Sequence, residues 1–128
     1  MSNVRLDGTT HPDFRYTFEI SGTVTAADEG KAVALDATKD NTVKLAGDND
    51  VVIGRLFKYE DRVVEGVKLA TVETKGGMRL PKDDYTVVIA VGASVVGAGA
   101  GLVKAAGDAT PKNYVVESAD DYVVVMFE

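Results

Sequence analysis

Val43-Lys44-Leu45-Ala46-Gly47-Asp48 returns later in the chain as Val103-Lys104-Ala105-Ala106-Gly107-Asp108, with five of the six positions identical. The match extends outward from there. Upstream, Gly30-Lys31-Ala32-Val33 is echoed by Gly92-Ala93-Ser94-Val95, and downstream Val51-Val52 is answered by Val115-Val116. Each copy reads as a glycine turn, a short strand, a turn, a strand ending in Ala-Gly-Asp, a loop and a Val-Val strand. Chance similarity between valine-rich strands is the plain alternative, because a hexapeptide is short. Recurrence of a whole pattern is otherwise the mark of repeated structural units. The spacing therefore predicts an internal two-fold repeat, two equivalent β-hairpin units packed against each other in one small body. Such an arrangement makes a framework and requires no cleft.

The remaining sequence has the same bias. Valine occupies 21 positions and threonine 11, and β-branched residues, stiff at χ1, fit a pleated half-buried surface better than a helix. Phe14, Tyr16, Phe18 and Ile20 alternate with Arg15, Thr17 and Glu19, the period of a strand with one buried face. Further strands are expected at 31–35, 42–45, 51–59, 63–74, 85–91, 94–96, 102–105, 114–117 and 122–127. Turn formers separate them, among them Ser21-Gly22, Lys39-Asp40-Asn41, Gly47-Asp48-Asn49-Asp50, Gly76-Gly77 and Ala119-Asp120-Asp121. Many short strands at close spacing predict an all-β fold, a small β-sandwich or barrel. Helix is limited to one short turn at 25–30, where Thr25 caps, Asp28 reaches back and Gly30 ends the turn.

The chain has 128 residues, enough for one domain that buries roughly two-thirds of its unfolded surface without disulfides or metal. Residues 1–13 are polar and lack apolar periodicity, so they read as a flexible N-terminal arm ahead of a single β domain at 14–128. A segment of this kind is ordinarily a frayed terminus. The functional alternative is an arm that becomes ordered along a partner.

Composition excludes several functions. The chain has no cysteine, which removes disulfide scaffolds, thiolate metal centres and cysteine nucleophiles together. Fourteen basic against twenty acidic residues give a net charge of −6, and no stretch concentrates Lys and Arg, so a phosphate-tracking groove has little to build on and nucleic acid is not expected as a partner. No apolar run approaches the roughly 20 residues that cross a bilayer, and the start MSNVRLDGTT has no signal-peptide core. A soluble protein with no membrane partner, remaining where it is made, is the expectation.

Candidate chemistry is sparse. The sole histidine, His11, lies in the polar arm beside Pro12, where it has neither an orienting partner nor a pocket. The acidic pairs Asp28-Glu29, Asp83-Asp84 and Asp120-Asp121 and the cluster Asp48-Asn49-Asp50 are oxygen-rich, yet each falls in a turn, where Asp and Asn hydrogen-bond their own backbone. The stretch from Asp36 to Gly47 starts like a calcium loop but lacks the glycine at its sixth position and the glutamate at its last. No metal, cofactor or enzymatic activity is expected. Gly97-Ala98-Gly99-Ala100-Gly101 precedes a strand rather than the helix a phosphate loop opens. It reads as a hairpin whose Gly97, Gly99 and Gly101 let another backbone approach, as a tight subunit contact does. Lys75-Gly76-Gly77-Met78-Arg79-Leu80-Pro81-Lys82 is the one locally basic loop, ordinarily a solvated turn. On an acidic body its Lys75, Arg79 and Lys82 are also the natural docking point for an acidic partner.

Taken together, Gly30 to Asp36, Thr42 to Asp48, Val52-Ile53-Gly54-Arg55-Leu56 and Val91 to Gly101 resemble the capsid decoration proteins of tailed bacteriophages, also called head-stabilising or cement proteins. The resemblance covers residues 20 to 127, and residues 1 to 19 carry no matching motif. It implies a compact β domain that binds the outer surface of the phage head, after synthesis in the host cytoplasm, and locks neighbouring major capsid subunits together. It also implies a homotrimer or a homodimer, with an N-terminal segment engaging the capsid. Arg5, Phe14, Arg15 and Tyr16 are the contacts expected of that segment. The alternative is a small β-barrel module that binds a carbohydrate or peptide on a phage tail or cell surface.

Overall fold

A computed structural model describes residues 15–62, 66–107 and 112–127. Their strands are β1 (Arg15–Ile20), β2 (Ala32–Leu35), β3 (Thr42–Leu45), β4 (Gly54–Arg62), β5 (Val67–Glu73), β6 (Gly76–Pro81), β7 (Val95–Gly99), β8 (Leu102–Ala105), β9 (Asn113–Ser118) and β10 (Tyr122–Phe127). The first five close a barrel in the order β1-β3-β2-β4-β5, with β5 returning to pair β1. The second five form a three-stranded sheet, β6-β10-β9, and the hairpin β7-β8. A single 3-10 turn at Ala26–Asp28 carries the expected capping box, Thr25 accepting from Ala27 and Asp28 accepting from the Thr25 amide. The all-β barrel expected from the sequence is therefore present.

The internal repeat goes deeper than the hexapeptide. Val33, Ala34 and Leu35 of β2 face Leu45, Lys44 and Val43 of β3. Val95, Val96 and Gly97 of β7 face Ala105, Lys104 and Val103 of β8, in the same register. The remaining ladders follow. The β1–β5 pairing of Thr17 with Thr71 and Phe18 with Ala70 recurs in β6–β10 as Arg79 with Val124 and Leu80 with Val123. In β4–β5 the register slips once between Leu56 and Lys58, and β9–β10 slips at the corresponding place, so the bulge at Phe57 has its counterpart at Val116. Single backbone bonds match as well. Gly30 N donates to Leu56 O at 2.6 Å and Leu56 N to Lys31 O at 2.8 Å, while Gly92 N donates to Val115 O at 2.7 Å and Val115 N to Ala93 O at 2.8 Å. The parallel pairing of β1 with β3 at Ile20 and Val43 returns as the parallel bridge between Lys82 and Val103. The chain is thus two copies of one five-stranded circuit, lobe one from β1 to β5 and lobe two from β6 to β10.

Side chains that point into each circuit correspond too. Val33, Val43, Leu56, Ala70 and Val72 fill lobe one, and Val95, Val103, Val115, Val123 and Val125 fill lobe two. Each fully buried Val or Leu side chain among them contributes about 1.5–3 kcal/mol, so apolar volume at these inward positions is what both sequences retain. Lobe two closes less completely. Where lobe one pairs Val33 with Gly54, lobe two uses a side chain: Asn113 Oδ1 accepts from Val95 N at 2.9 Å and Asn113 Nδ2 donates to Val95 O at 3.3 Å. This satisfies Val95 at a seam without a full ladder.

Three sequence-based expectations change. The run 85–91 is a loop: β-branched residues need a paired strand to form one, and among the described residues no strand pairs with it. The segment expected to be a solvated basic loop is strand β6, paired along its length with β10. Pro81 sits at its end, where a missing N–H is tolerated. Strand β4 begins at Gly54 rather than at 51, and residues 1–14 and 63–65 lie outside the described residues.

The lobes meet through backbone. Ala32 N donates to Gly101 O at 2.8 Å, Gly101 N to Ala46 O at 3.1 Å, Asn49 N to Gly97 O at 2.8 Å and Gly97 N to Asp50 O at 2.9 Å. A Cβ at Gly97 would stand 2.2 Å from the Gly47 carbonyl oxygen, and one at Gly101 would stand 2.7 Å from Lys31 Cβ. Ala32, Ala34, Ala46 and Val52 of lobe one accordingly belong to the core cluster of lobe two. Lobe one carries Leu35 at the position that corresponds to Gly97. Gly97→Leu should therefore lose about 1–3 kcal/mol or more in urea unfolding, as overpacking against fixed backbone does. The reverse change, Leu35→Gly, should cost only about 0.5–1 kcal/mol.

Candidate functional site

Arg15 and Tyr16 open β1, while Arg5 and Phe14 lie outside the described residues. Arg15 faces Glu73 across β1–β5, and Glu73 faces Arg55 across β5–β4. The three side chains therefore meet on one row. Glu73 is fully buried; Arg55 donates to its Oε1 from Nε at 2.9 Å and again from Nη2, and Arg15 Nε lies 3.6 Å from Oε2. The Arg15 guanidinium also stacks 3.9 Å above the Phe57 ring, a placement that the bulge at Phe57 makes available. Tyr16, Phe18 and Ile20 share the inward face with exposure falling along the strand, so Tyr16, about half exposed, stands at the rim. In lobe two the corresponding row holds Gly77, Met126 and Tyr114. Among the described residues the buried charge row thus belongs to lobe one alone, at the start of β1.

The other two groups of expected site residues are separated by the fold. Lys82 is buried at the position that Ile20 fills in lobe one, and its Nζ donates to Ala119 O at 3.1 Å. Arg79 is exposed and stacks 4.0 Å over the Tyr122 ring, and Lys75 is exposed in the turn before β6. Lys75, Arg79 and Lys82 therefore do not form one docking loop. The close approach anticipated for Gly97 and Gly101 is made to the chain's own 46–50 loop and Lys31; Gly99 has open space around it.

Carboxylates in the turns cap backbone. Asp36 Oδ1 accepts from Thr38 N at 3.0 Å and from Thr38 Oγ1, and Asp36 Oδ2 accepts from Ser21 Oγ at 2.7 Å. The Thr38 and Ser21 hydroxyls and the Thr38 amide together hold the Asp36 carboxyl down at about 2, against an ordinary 3.8. Asp84 is lowered in the same way by the Thr86 hydroxyl and amide, and Asp28 by Lys31 and the Thr25 amide. Asp50 accepts from Gly47 N at 2.8 Å. Among the described residues no group of three or more acidic or histidine side chains is placed to hold a metal ion, and no helix is long and apolar enough to cross a membrane.

Two surface features were not anticipated. The loop 85–91 exposes Tyr85, Val87, Val88 and Val91 while burying Ile89; its β-branched run signalled a strand and so concealed a surface. Between the lobes lies an open groove of about 420 Å³ lined by Lys31, Arg55, Arg79, Tyr85, Asp121 and Tyr122. It is assembled from both lobes and could not be read from local sequence. In comparisons with known proteins, no family model matches this chain and no curated protein matches it.

Glu73→Ala should cost about 3–5 kcal/mol, because it leaves guanidinium charge without its buried partner. Installing lobe two's pair, Arg55→Tyr with Glu73→Met, should recover most of that loss, read by chemical denaturation. Asp36, depressed in the folded state, stabilises fully above its ordinary value near 3.8 and loses that contribution as pH falls through about 2. The stability gap between wild type and Asp36→Asn should accordingly close as the pH of thermal melts is lowered from 5 to 2.

Proposed function

We propose that this chain is a structural virion protein, a decoration protein that binds the outside of the phage head and stabilises the lattice by bridging neighbouring major capsid subunits. The observation that carries this reading is adhesive surface on several elements of one braced framework: Tyr16 and Phe57 at the β1 rim, Leu35 and Val51 at another end of lobe one, and the loop 85–91 on lobe two. Bridging needs at least two such faces held at a fixed separation, which a closed barrel and a second lobe joined to it through backbone supply. Contiguous exposed apolar side chains mark protein contacts more often than they occur by accident. The resemblance to decoration proteins points the same way, and a net charge of −6 suits an outer surface that keeps particles apart.

The mechanism is mass action. A ligand that binds only the assembled lattice stabilises it by RT ln(1 + [L]/Kd), and contacts to several subunits reinforce one another through effective concentration. The arm at 1–13 leads into Arg15 and Tyr16, so an added strand along a capsid sheet edge would continue directly into β1. Deleting residues 2–13 should weaken binding to undecorated heads at least tenfold in a co-sedimentation assay while leaving the melting profile in place. Unchanged affinity would remove the arm from the mechanism.

A second reading rests on the interlobe groove. Two tyrosines beside Lys31, Arg55, Arg79 and Asp121 offer a stacking face and planar polar groups, the equipment of a carbohydrate- or peptide-binding module on a tail or cell surface. Saturable binding of a soluble oligosaccharide or peptide that Tyr85→Ala abolishes, without any recruitment to heads, would favour it.

A further inference from the structure

We propose that the groove between the lobes binds a neutral carbohydrate, the Asp121 carboxylate accepting from its hydroxyls beside the stacked pair Arg79 and Tyr122. This names the ligand of the second reading above, on which it rests. At about 420 Å³ the groove falls within the roughly 300–1,000 Å³ of small-molecule sites, and a junction between two folded units is where such sites form. Its walls are set before any ligand arrives. Arg55 is fixed by buried Glu73, and Lys31 Nζ donates to Asp28 Oδ1 at 2.8 Å. Arg79 lies 4.0 Å over the Tyr122 ring, whose hydroxyl donates to Glu117 Oε2 at 3.2 Å.

Charge decides against an acidic ligand. Arg55 and Lys31 are each matched by a carboxylate of their own, Glu73 and Asp28, and Glu29 and Asp121 bring two more to the groove. An incoming anion meets cations already balanced, and an incoming cation meets Arg79 beside Asp121. A neutral ligand has two groups left to bind. Among the described residues nothing bonds the Asp121 carboxylate or the Tyr85 hydroxyl. A carboxylate accepts at two oxygens and a phenol both donates and accepts, which suits adjacent hydroxyls on one ring. The rings of Tyr85 and Tyr122 supply apolar surface for the sugar's C–H face. A peptide added as a strand needs a sheet edge, whereas the groups left here are side chains.

The duplication provides an internal comparison. Continuing the β1–β5 and β6–β10 registers places Arg79, Tyr122 and Asp121 where lobe one has Thr17, Leu69 and Lys68. One circuit folds with either set, so the circuit itself requires neither the arginine–tyrosine pair nor the acid. The set equipped for hydroxyls is the one that faces the other lobe.

Amide NMR titrations of the full chain with glucose, galactose, mannose, rhamnose and N-acetylglucosamine test this. At least one should bind saturably and shift Gly30, Lys31, Asp121 and Tyr122 on the two walls, and glucuronate and galacturonate should bind more weakly. Asp121→Lys, which installs the residue of lobe one, should weaken binding about tenfold or more, as loss of a hydrogen bond to a charged group does. Tyr122→Leu should weaken it as well, with thermal melts checking that both variants fold. Should either fail to fold, Asp121→Asn, which keeps the shape and removes the charge, replaces it with the same expected direction. No saturable shift with any of these sugars, shifts outside the groove, affinity indifferent to Asp121, or preference for the uronates would overturn the proposal. A peptide bound in the groove and lost in Tyr85→Ala, without sugar binding, would keep the second reading and overturn this one; binding of neither would remove both. The titrations contain no heads and the variants leave Tyr16, Leu35, Val51 and Phe57 in place, so the head-binding reading is tested separately.

Discussion

The contact between Gly97 and the carbonyl of Gly47 is the constraint on which the molecule's shape depends. Backbone can approach backbone there only because no side chain intervenes, and the four hydrogen bonds around it join the closed barrel of lobe one to the two small sheets of lobe two. Without it, Ala32, Ala34, Ala46 and Val52 would lose the lobe-two surface that covers them, and the hairpin β7–β8 would lose its main neighbour. The glycine-rich stretch 97–101 is thus the joint of a duplicated framework. That it fits another backbone was legible in the sequence. That the other backbone belongs to the same chain was not.

How much could be read in advance follows from what duplication preserves. The hairpin β2–β3 and its counterpart β7–β8 were visible because Val-Lys-x-Ala-Gly-Asp kept its letters. The equivalence of β1 with β6, or of β5 with β10, was invisible because only inward volume and register are held in common: Phe18 corresponds to Leu80, Ala70 to Val123, and Arg79 to Thr17. An apolar requirement tolerates many residues of similar volume, so identity drifts while pairing does not. The bulge at Phe57 and Val116 shows the same thing, since two unlike residues hold one irregularity. Loop 85–91 misled for a related reason. Four successive β-branched residues, Thr86 to Ile89, satisfy a strand pattern, but a strand also needs a paired neighbour, and pairing is a tertiary property.

The candidate site residues divide along the same line. Arg15 and Tyr16 were singled out as the end of an arm, and Arg15 proves to be built into the framework through buried Glu73 and the Phe57 ring. A side chain anchored in this way has lost its rotamer freedom in the folded chain. Lys82 is the converse case: its charge suggested a docking loop, yet the circuit places it where lobe one has Ile20, and its ammonium group is occupied by the Ala119 carbonyl. Charge in sequence says little about exposure when register decides the direction a side chain takes. The turn carboxylates Asp36, Asp84 and Asp28, by contrast, behave as their local sequence indicates, because their partners lie within a few residues.

The joint between the lobes is read most directly by amide hydrogen exchange at single-residue resolution. The amides of Ala32, Asn49, Gly97 and Gly101 sit in or beside loops and short strand ends, where exchange would be fast unless their cross-lobe bonds persist. Protection of all four comparable to that of Val72 and Val125 in the barrel ladders is the predicted result. Exchange of Asn49, Gly97 and Gly101 at the rate of an open loop, with the ladders still protected, would show two lobes merely tethered and would contradict it.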